Sequence, residues 1–194
     1  MRIARLRPAR GSRRLLLLVL GAALGGAAPA VAGEAPAQSA RAQLALAEDA
    51  ARAWASDARL VYLENDAAPD ARGAAARWGY LFHSEARAAS RVYSLAGGRI
   101  EEARDLAFAF AAPPLAPDWL DSDAARAAAE AAGGREFCLK QSGRLESLVL
   151  LRGALFPERP DLGTWALIYS APQAPSLTIL IDAASGKRVR TWRG

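Results

Sequence analysis

The chain has 194 residues, and its 25 basic against 20 acidic residues give a formal net charge of +5. Its single cysteine, Cys138, excludes an intrachain disulfide. Its single histidine, His83, excludes a metal site built from several histidines of one chain.

The first 32 residues have the three-part layout of a signal peptide. Six arginines without any acidic residue are followed by a leucine-rich stretch at 15–20, and Ala30-Val31-Ala32 offers the small side chains of a signal-peptidase site. We therefore predict cleavage between Ala32 and Gly33. The layout predicts an exported protein of bacterial type that is periplasmic or secreted.

Two other interpretations of this segment stay open. A membrane anchor needs about 20 strongly apolar residues, whereas residues 15–32 supply 18 that include three glycines and a proline, so an anchor is disfavoured. Arg13 and Arg14 before Leu15 resemble a twin-arginine signal, which leaves the export route open. No cysteine lies near the cleavage site, which argues against a lipid-anchored form. We expect no stable membrane span after cleavage.

The positive charge belongs to the segment that we expect to be removed. Taking the six arginines of residues 1–32 from the 25 basic residues leaves 19 against 20 acidic residues, a net charge of −1. The remaining chain is therefore close to neutral, and its charge gives no reason to expect nucleic-acid binding.

Residues 33–39 are predicted as a flexible mature terminus and residues 40–98 as a first folded unit. Residues 40–56 favour a helix that Ser39 could cap, because apolar side chains recur there at helical spacing: Leu44, Ala47, Ala51 and Trp54. Alternating apolar residues then predict strands at 59–63, 77–83 and 91–95, closed by a turn at Gly97-Gly98.

Residues 99–120 are predicted as a proline-rich connector. Leu106, Phe108 and Phe110 alternate with alanines, which favours an added strand or a buried extended segment. Three prolines then forbid regular structure: Pro113, Pro114 and Pro117.

Residues 121–194 are predicted as a second unit. Asp121, Ser122 and Asp123 are suited to cap a helix over 124–132, which Gly133-Gly134 would end. Five strands are predicted, at 136–140, 145–151, 164–170, 177–182 and 188–192. Ser142-Gly143 is predicted as the hairpin turn between the first two of them.

A short pattern occurs twice in the chain, 87 residues apart. The stretch Trp78-Gly79-Tyr80-Leu81-Phe82 is matched by Trp165-Ala166-Leu167-Ile168-Tyr169, and at the same offset Val92-Tyr93-Ser94-Leu95 is matched by Ile179-Leu180-Ile181-Asp182. A repeat that keeps its register across two strands predicts a duplicated structural unit, with Trp78 and Trp165 in equivalent structural positions.

Part of the second unit resembles the PepSY domain family of exported bacterial proteins. The resemblance rests on the sequence Leu177-Thr178-Ile179-Leu180-Ile181-Asp182-Ala183-Ala184-Ser185-Gly186-Lys187-Arg188-Val189, in which an apolar strand precedes Asp-Ala-x-Ser-Gly and a closing strand. Ser122-Asp123-Ala124 and the alanine-rich residues after it are similar to the opening helix of that family. The resemblance covers about residues 121–190, and the first unit matches only in outline.

The resemblance implies an α+β fold of two PepSY-like, cystatin-like units, each with one helix packed on an antiparallel sheet. It also implies an accessory or inhibitory module and not an enzyme. The Asp-Ala-x-Ser-Gly motif has a structural reason, because Asp182 can accept hydrogen bonds within the turn and Gly186 can adopt the positive φ that the turn requires.

No motif for chemistry occurs in the sequence. There is no phosphate loop, no His-Glu-x-x-His and no Cys-x-x-Cys, so no cofactor, metal ion or catalytic residue is predicted. His83, Ser84 and Glu85 are adjacent, and neighbours in sequence do not present converging side chains. The candidate partner-binding residues are Arg188, Arg190 and Trp192, predicted on one face of the last strand. Arginines on an edge strand also serve to prevent aggregation, and that alternative stays open.

The sequence thus predicts an exported, non-enzymatic binding or inhibitory module of the cell envelope that engages a peptide or protease through a sheet edge or groove. The alternative is a structural accessory subunit of an envelope complex without a dissociable ligand. An enzyme would require a site formed by residues far apart in the sequence.

Overall fold

A computed structural model describes residues 35–108, 110, 112–156 and 158–194. The predicted cleavage residues Ala32 and Gly33 lie outside this range. In the described residues the chain forms three helices and eight strands, here α1 (Leu44–Trp54), β1 (Arg59–Asn65), β2 (Arg77–Ser84), β3 (Ala89–Ala96), β4 (Arg99–Asp105), α2 (Ser122–Ala129), α3 (Arg135–Gln141), β5 (Arg144–Arg152), β6 (Gly163–Ala171), β7 (Ala174–Asp182) and β8 (Arg188–Arg193).

All eight strands belong to one antiparallel sheet, in the order β4-β3-β2-β1-β5-β6-β7-β8. The prediction of two separate helix-on-sheet units is therefore wrong. The physical reason is the pairing of β1 with β5, which joins Tyr62 to Leu151, Leu63 to Leu150 and Glu64 to Val149. The described residues accordingly form one compact unit.

The side chain of Asn65 extends the junction between β1 and β5. Its Nδ2 donates to the carbonyl of Glu146 at 3.1 Å, and its Oδ1 accepts from the amide of Leu148 at 2.6 Å. A side-chain amide carries one donor and one acceptor group, so it reproduces the bonding of a strand residue where the main-chain pairing stops. This side chain helps to make the sheet continuous.

The helices cover one side of the sheet, which we call the helix face. Ala47 and Ala51 of α1 and Ala125 and Ala129 of α2 are buried there, in one cluster with aromatic and aliphatic side chains from both halves of the sheet. The predicted apolar stripe of the first helix is confirmed, since Leu44 and Trp54 also pack against this cluster. Alanine side chains allow a helix to approach a sheet closely, and the aromatic side chains fill the remaining volume.

Three tryptophans meet at the centre of this core. The Trp165 ring makes edge-on contacts with Trp78 and Trp119, at centroid distances of 6.5 and 5.9 Å. Trp78 and Trp165 are fully buried, and their indole nitrogens donate to the carbonyls of Gln38 and Leu120 at 2.9 and 2.8 Å. The predicted structural role of both side chains is confirmed.

The predicted repeat register is wrong beyond the first strand. Trp78 pairs with Leu95 across β2 and β3, whereas Trp165 pairs with Ile181 across β6 and β7, so the partners are 86 and not 87 residues apart. Residues 85–88 connect β2 to β3, but only residues 172–173 connect β6 to β7. A shift of one residue along a strand places each side chain on the opposite face.

The segments before α1 and α2 are bound to each other. The amide of Ala40 donates to Ser122 Oγ and that of Arg41 to Asp121 Oδ1, both at 3.1 Å. The Arg41 guanidinium lies 3.8 Å from the Trp119 ring centroid. Asp121 also accepts from the amide of Ser122, so the predicted cap of the second helix is confirmed. The predicted cap Ser39 is wrong, because α1 starts after Gln43 without a side-chain cap.

The predicted strand at 136–140 is wrong, because these residues belong to α3. The predicted end of the preceding helix is confirmed, because Gly133 leaves the helical conformation with a φ of 123° and ends the turn that continues α2 beyond Ala129. The chain kinks at this glycine, and α3 begins directly after Gly134. The predicted hairpin turn at Ser142-Gly143 is instead the end of α3, where Ser142 adopts a left-handed conformation with a φ of 51°.

The connector contains a strand where the prediction had none. β4 occupies Arg99–Asp105, before the alternating residues Leu106, Phe108 and Phe110. The chain then passes along one end of the sheet. Its amides at Leu106, Leu115 and Leu120 donate to the carbonyls of Ser90, Leu60 and Ala183. The other strand predictions are confirmed to within three residues at each end, and Asp182 accepts from the amides of Ala184 and Ser185 as expected, with Gly186 at a φ of 70°.

Candidate functional site

β8 is one of the two edge strands of the sheet. Its six residues carry three arginines and no carboxylate. The other edge, β4, carries charges of both signs, and Arg99 pairs with Glu101 at 3.0 Å while Arg104 pairs with Glu102. Mixed, paired charges are a common device against edge-to-edge association. The edge at β8 differs because its charge has one sign.

The structure brings together two of the three predicted partner-binding residues. Arg190 pairs with Leu180 and Trp192 with Thr178, so both side chains lie on the side of the sheet away from the helices, which we call the far face. The Arg190 guanidinium lies 6.0 Å from the Trp192 ring centroid. Arg188 is opposite Ile181, beyond a β-bulge, and therefore lies on the helix face. The prediction that all three share one face is wrong.

The pairing with β7 decides which backbone groups of β8 point outward. The amide of Gly194 donates to the carbonyl of Ser176 at 3.2 Å. Hydrogen-bonded and non-hydrogen-bonded pairs alternate along an antiparallel ladder. The pairs of Arg193 with Leu177 and of Thr191 with Ile179 are therefore non-hydrogen-bonded. The N–H and C=O groups of Thr191 and Arg193 point away from β7, toward the open edge.

A half-open groove of about 300 Å³ lies along this edge on the helix face. The β8 side of the groove includes Thr191 and Arg193, the two residues with outward backbone groups. α3 forms the opposite wall with Glu136, Phe137 and Lys140. Among the strands α3 packs mainly on β6, and the groove is the space left between α3 and β8.

One of the two cations that line the groove, Lys140, forms an ion pair, and the other, Arg193, forms none with the described residues. Lys140 Nζ lies 2.7 Å from Glu136 Oε1, and this hydrogen bond lowers the pKa of the Glu136 carboxyl. The Arg193 guanidinium lies 5.1 Å from the Phe137 ring centroid. Within the described part of the chain Arg193 makes no ion pair, although its charge contributes to the lowered pKa of Glu136. The groove therefore presents one cation whose hydrogen-bonding capacity is free for a ligand.

A second cluster of polar groups lies on the far face, near β1. Tyr62 Oη donates to Glu64 Oε2 at 2.6 Å, and Ser94 Oγ donates to Asp66 Oδ2. Burial raises the pKa of Glu64, and the neighbouring charge of Asp66 raises it further. Loss of solvation at its carboxylate also raises the pKa of Asp66, although other atoms of that residue are exposed. Glu64 is the better buried of the two residues.

We expect Glu64→Gln to raise the melting temperature at pH 8 and to have little effect at pH 4. The pKa of Glu64 in the folded state lies above its ordinary value of 4.5, so its stabilising contribution is complete below that pH and is lost as the pH rises through the folded-state pKa. The amide can still accept from Tyr62. Thermal unfolding of both proteins across this range measures the effect. The exposed Glu85→Gln is the control, and a Glu64→Gln effect that grows toward low pH contradicts the expectation.

The remaining candidate nucleophiles are held in structural contacts. His83 Nδ1 is 2.9 Å from Ser90 Oγ, but Ser90 is fully buried. Ser84 donates to Asp57 Oδ1 at 2.7 Å, so the adjacent His83 and Ser84 do not pair with each other. Cys138 is half-buried in α3, and burial and the charge of Glu130 raise the pKa of its thiol. A raised pKa keeps the thiol protonated and unreactive near neutral pH.

Among the described residues, no group of three or more His, Cys, Asp or Glu side chains is placed to hold a metal ion. None of the described helices is long and apolar enough to span a membrane.

Sequence reasoning did not find Thr191, Arg193, Phe137 or Lys140 as site residues. The outward direction of the Thr191 and Arg193 backbone depends on the register with β7, which the sequence does not specify. Phe137 and Lys140 were assigned to a strand. One signal for the helix was present, because Glu136 and Lys140 are four residues apart, a spacing that brings side chains together on a helix but not along a strand.

No protein-family model matches the chain, and no curated protein matches it. Among solved structures, the fold is similar to a crystal structure from Clostridium difficile 630 that is described as a "putative lipoprotein". The TM-score is 0.53 at 12% sequence identity, over 78% of this chain and 93% of that chain. Similarity at this identity shows the fold alone. It does not show a PepSY-like domain, and the relation to that family stays a prediction.

Proposed function

We propose that the protein is an exported, non-enzymatic binding module of the cell envelope that receives an extended protein or peptide segment along β8. The predicted signal segment supports export. The similarity of the fold to a protein described as a "putative lipoprotein" is consistent with an envelope location, periplasmic or at the cell surface.

The observation that carries this proposal is the open edge of β8. In the described residues no strand pairs with its outer side, and Thr191 and Arg193 direct N–H and C=O groups outward. An extended segment can satisfy these groups by adding a ninth strand, a mode in which main-chain hydrogen bonds supply affinity and alternate side chains supply specificity. The charged side chains on β8 prevent non-specific pairing with apolar strands.

The environment of the candidate nucleophiles supports the proposal of a role without turnover. The hydroxyl that pairs with the single histidine belongs to the buried Ser90, and the thiol of Cys138 is held protonated. Neither arrangement supports nucleophilic catalysis, which needs an accessible, activated group.

Thr191→Pro is expected to abolish binding of the partner, because proline lacks the outward N–H that would bond to the added strand. Proline is tolerated on an edge strand where its nitrogen faces away from the sheet. Partner capture from an envelope extract, compared between this variant and the original protein, measures the effect. Thr191→Ala is the matched control, because it removes the same side chain and keeps the N–H group.

Equal capture by the proline variant would place the partner elsewhere on the surface. If neither protein captures a partner, the structural accessory subunit is favoured instead. Hydrolysis of general peptide or ester substrates that is lost on a single substitution would contradict a role without turnover.

A further inference from the structure

We infer that the segment bound along β8 is acidic, and that one of its carboxylate side chains enters the groove between α3 and β8 to pair with Arg193. This inference rests on the proposed addition of a strand to β8 and specifies the chemistry of the segment.

The geometry of strand pairing decides which side chains of the segment reach the groove. Residues of an added antiparallel strand that exchange hydrogen bonds with Thr191 and Arg193 stand directly opposite them. Directly opposite residues place their side chains on the same face of the sheet. Thr191 and Arg193 are paired with Ile179 and Leu177, whose side chains belong to the core on the helix face. Alternate residues of the segment therefore point into the groove.

The groove is suited to receive a carboxylate. The Arg193 guanidinium is positioned against the Phe137 ring at 5.1 Å from its centroid, and it makes no ion pair with the described residues. A guanidinium presents its donors in a plane that matches the two oxygens of a carboxylate. Glu136 does not compete strongly, because it is bonded to Lys140 at 2.7 Å. Leu177 and Phe137 provide apolar surface for the methylene groups of a glutamate.

The charge of the whole edge favours an acidic segment over the other candidate occupants. Four cations lie within seven residues at β8, namely Lys187, Arg188, Arg190 and Arg193, in a chain whose net charge without residues 1–32 is −1. The β8 strand of a second copy would bring the same positive charges together. Residues 1–34 of this chain are also unsuitable, because they carry six arginines and one acidic residue. Opposite charge accelerates association and selects the partner.

The test uses three fluorescent peptides, Thr-Val-Thr-X-Thr-Val-Thr, with glutamate, glutamine or lysine at X. We expect the purified protein to bind the glutamate peptide best and the lysine peptide least in fluorescence anisotropy at low salt. The dissociation constant is expected to rise about fivefold from the glutamate to the glutamine peptide, and about fivefold again from the glutamine to the lysine peptide. A factor of this size is the upper range for an exposed ion pair. Arg193→Glu is expected to reverse the order, so that the lysine peptide binds best.

Arg190→Glu is the matched control, because it makes the same charge change on the same strand but on the far face. It is expected to change the affinities of the charged peptides much less than Arg193→Glu does and to keep their order. If Thr191→Pro abolishes binding but the three peptides bind equally, the addition of a strand stands and the carboxylate preference is overturned. If no peptide binds, or if binding is insensitive to Thr191→Pro, both proposals fail.

Two further outcomes identify other occupants and also overturn the inference. Binding to vesicles of phosphatidylglycerol without binding to the glutamate peptide would indicate a lipid surface. A dimer in sedimentation of the protein alone, dissociated by Thr191→Pro, would show that a second copy occupies the edge. Arg193→Glu keeps the backbone donors of β8, so its peptide preference remains informative even if the proline variant does not fold.

Discussion

Trp165→Ala is expected to lower the free energy of unfolding by about 3–5 kcal/mol, the usual cost of truncating a fully buried tryptophan to alanine. Trp165 is 0% exposed, contacts two other tryptophan rings and donates to the carbonyl of Leu120. The substitution leaves a cavity at the point where the two halves of the core meet. Chemical denaturation measures the loss.

The same variant tests whether the sheet has one core. Because β1 pairs with β5 and the Trp78 ring contacts Trp165, hydrogen exchange is expected to accelerate in α1 and β2 as well as in β6 and β7. Acceleration confined to residues after 120 would contradict a single cooperative core. Trp192→Ala is the control, since Trp192 is half-buried on the far face and its loss is expected to cost about 1 kcal/mol or less.

Gly134→Ala is expected to lower the free energy of unfolding by about 2 kcal/mol, although alanine is the better helix former. Gly134 has helical backbone angles, so the backbone accepts alanine. A Cβ atom at this position would lie 2.5 Å from Tyr169 Oη and 2.6 Å from its ring carbon Cζ, inside the core. The side chain of Tyr169 is fully buried and cannot move away without cost.

Two comparisons separate this contact from a general effect of alanine. Gly163→Ala is the control, because its Cβ would meet its nearest neighbour, Ala183 Cβ, at an ordinary distance of 3.6 Å. In Gly134→Ala combined with Tyr169→Leu, the two losses are expected to be less than additive, because the smaller side chain removes the clash. Additive losses would show that the Tyr169 contact does not limit position 134.

Local patterns predicted most of the strands correctly. Trp78, Tyr80 and Phe82 alternate along β2 and are all buried on the helix face, as period-2 alternation requires. α3 was mistaken for a strand because Phe137, Cys138 and Leu139 form a short apolar run. In the structure Phe137 is buried and Leu139 is 79% exposed, as on the two sides of a helix. A short apolar run does not by itself distinguish a strand from a short helix.

The candidate site was predicted only in part for a different reason. The arginines and the tryptophan of residues 188–192 are visible in the sequence, and they predicted a binding site on β8. The faces of Arg188 and Arg190 were not predictable, because the β-bulge between them depends on pairing with β7. The groove was also not predictable, since its walls come from α3 and β8, about 50 residues apart in the chain.

The sequence by itself determined the candidate signal segment, the near-neutral charge of the remaining chain, the buried face of β2 and the turn at Asp182. These features depend on composition or on neighbours within a few residues, where steric and hydrogen-bonding preferences act directly. Only the tertiary structure decided that β1 pairs with β5, that one core lies under both halves and that Thr191 and Arg193 face an open groove. Pairing between strands far apart in sequence is selected by the burial and hydrogen bonding of the whole sheet, and no local segment contains that information.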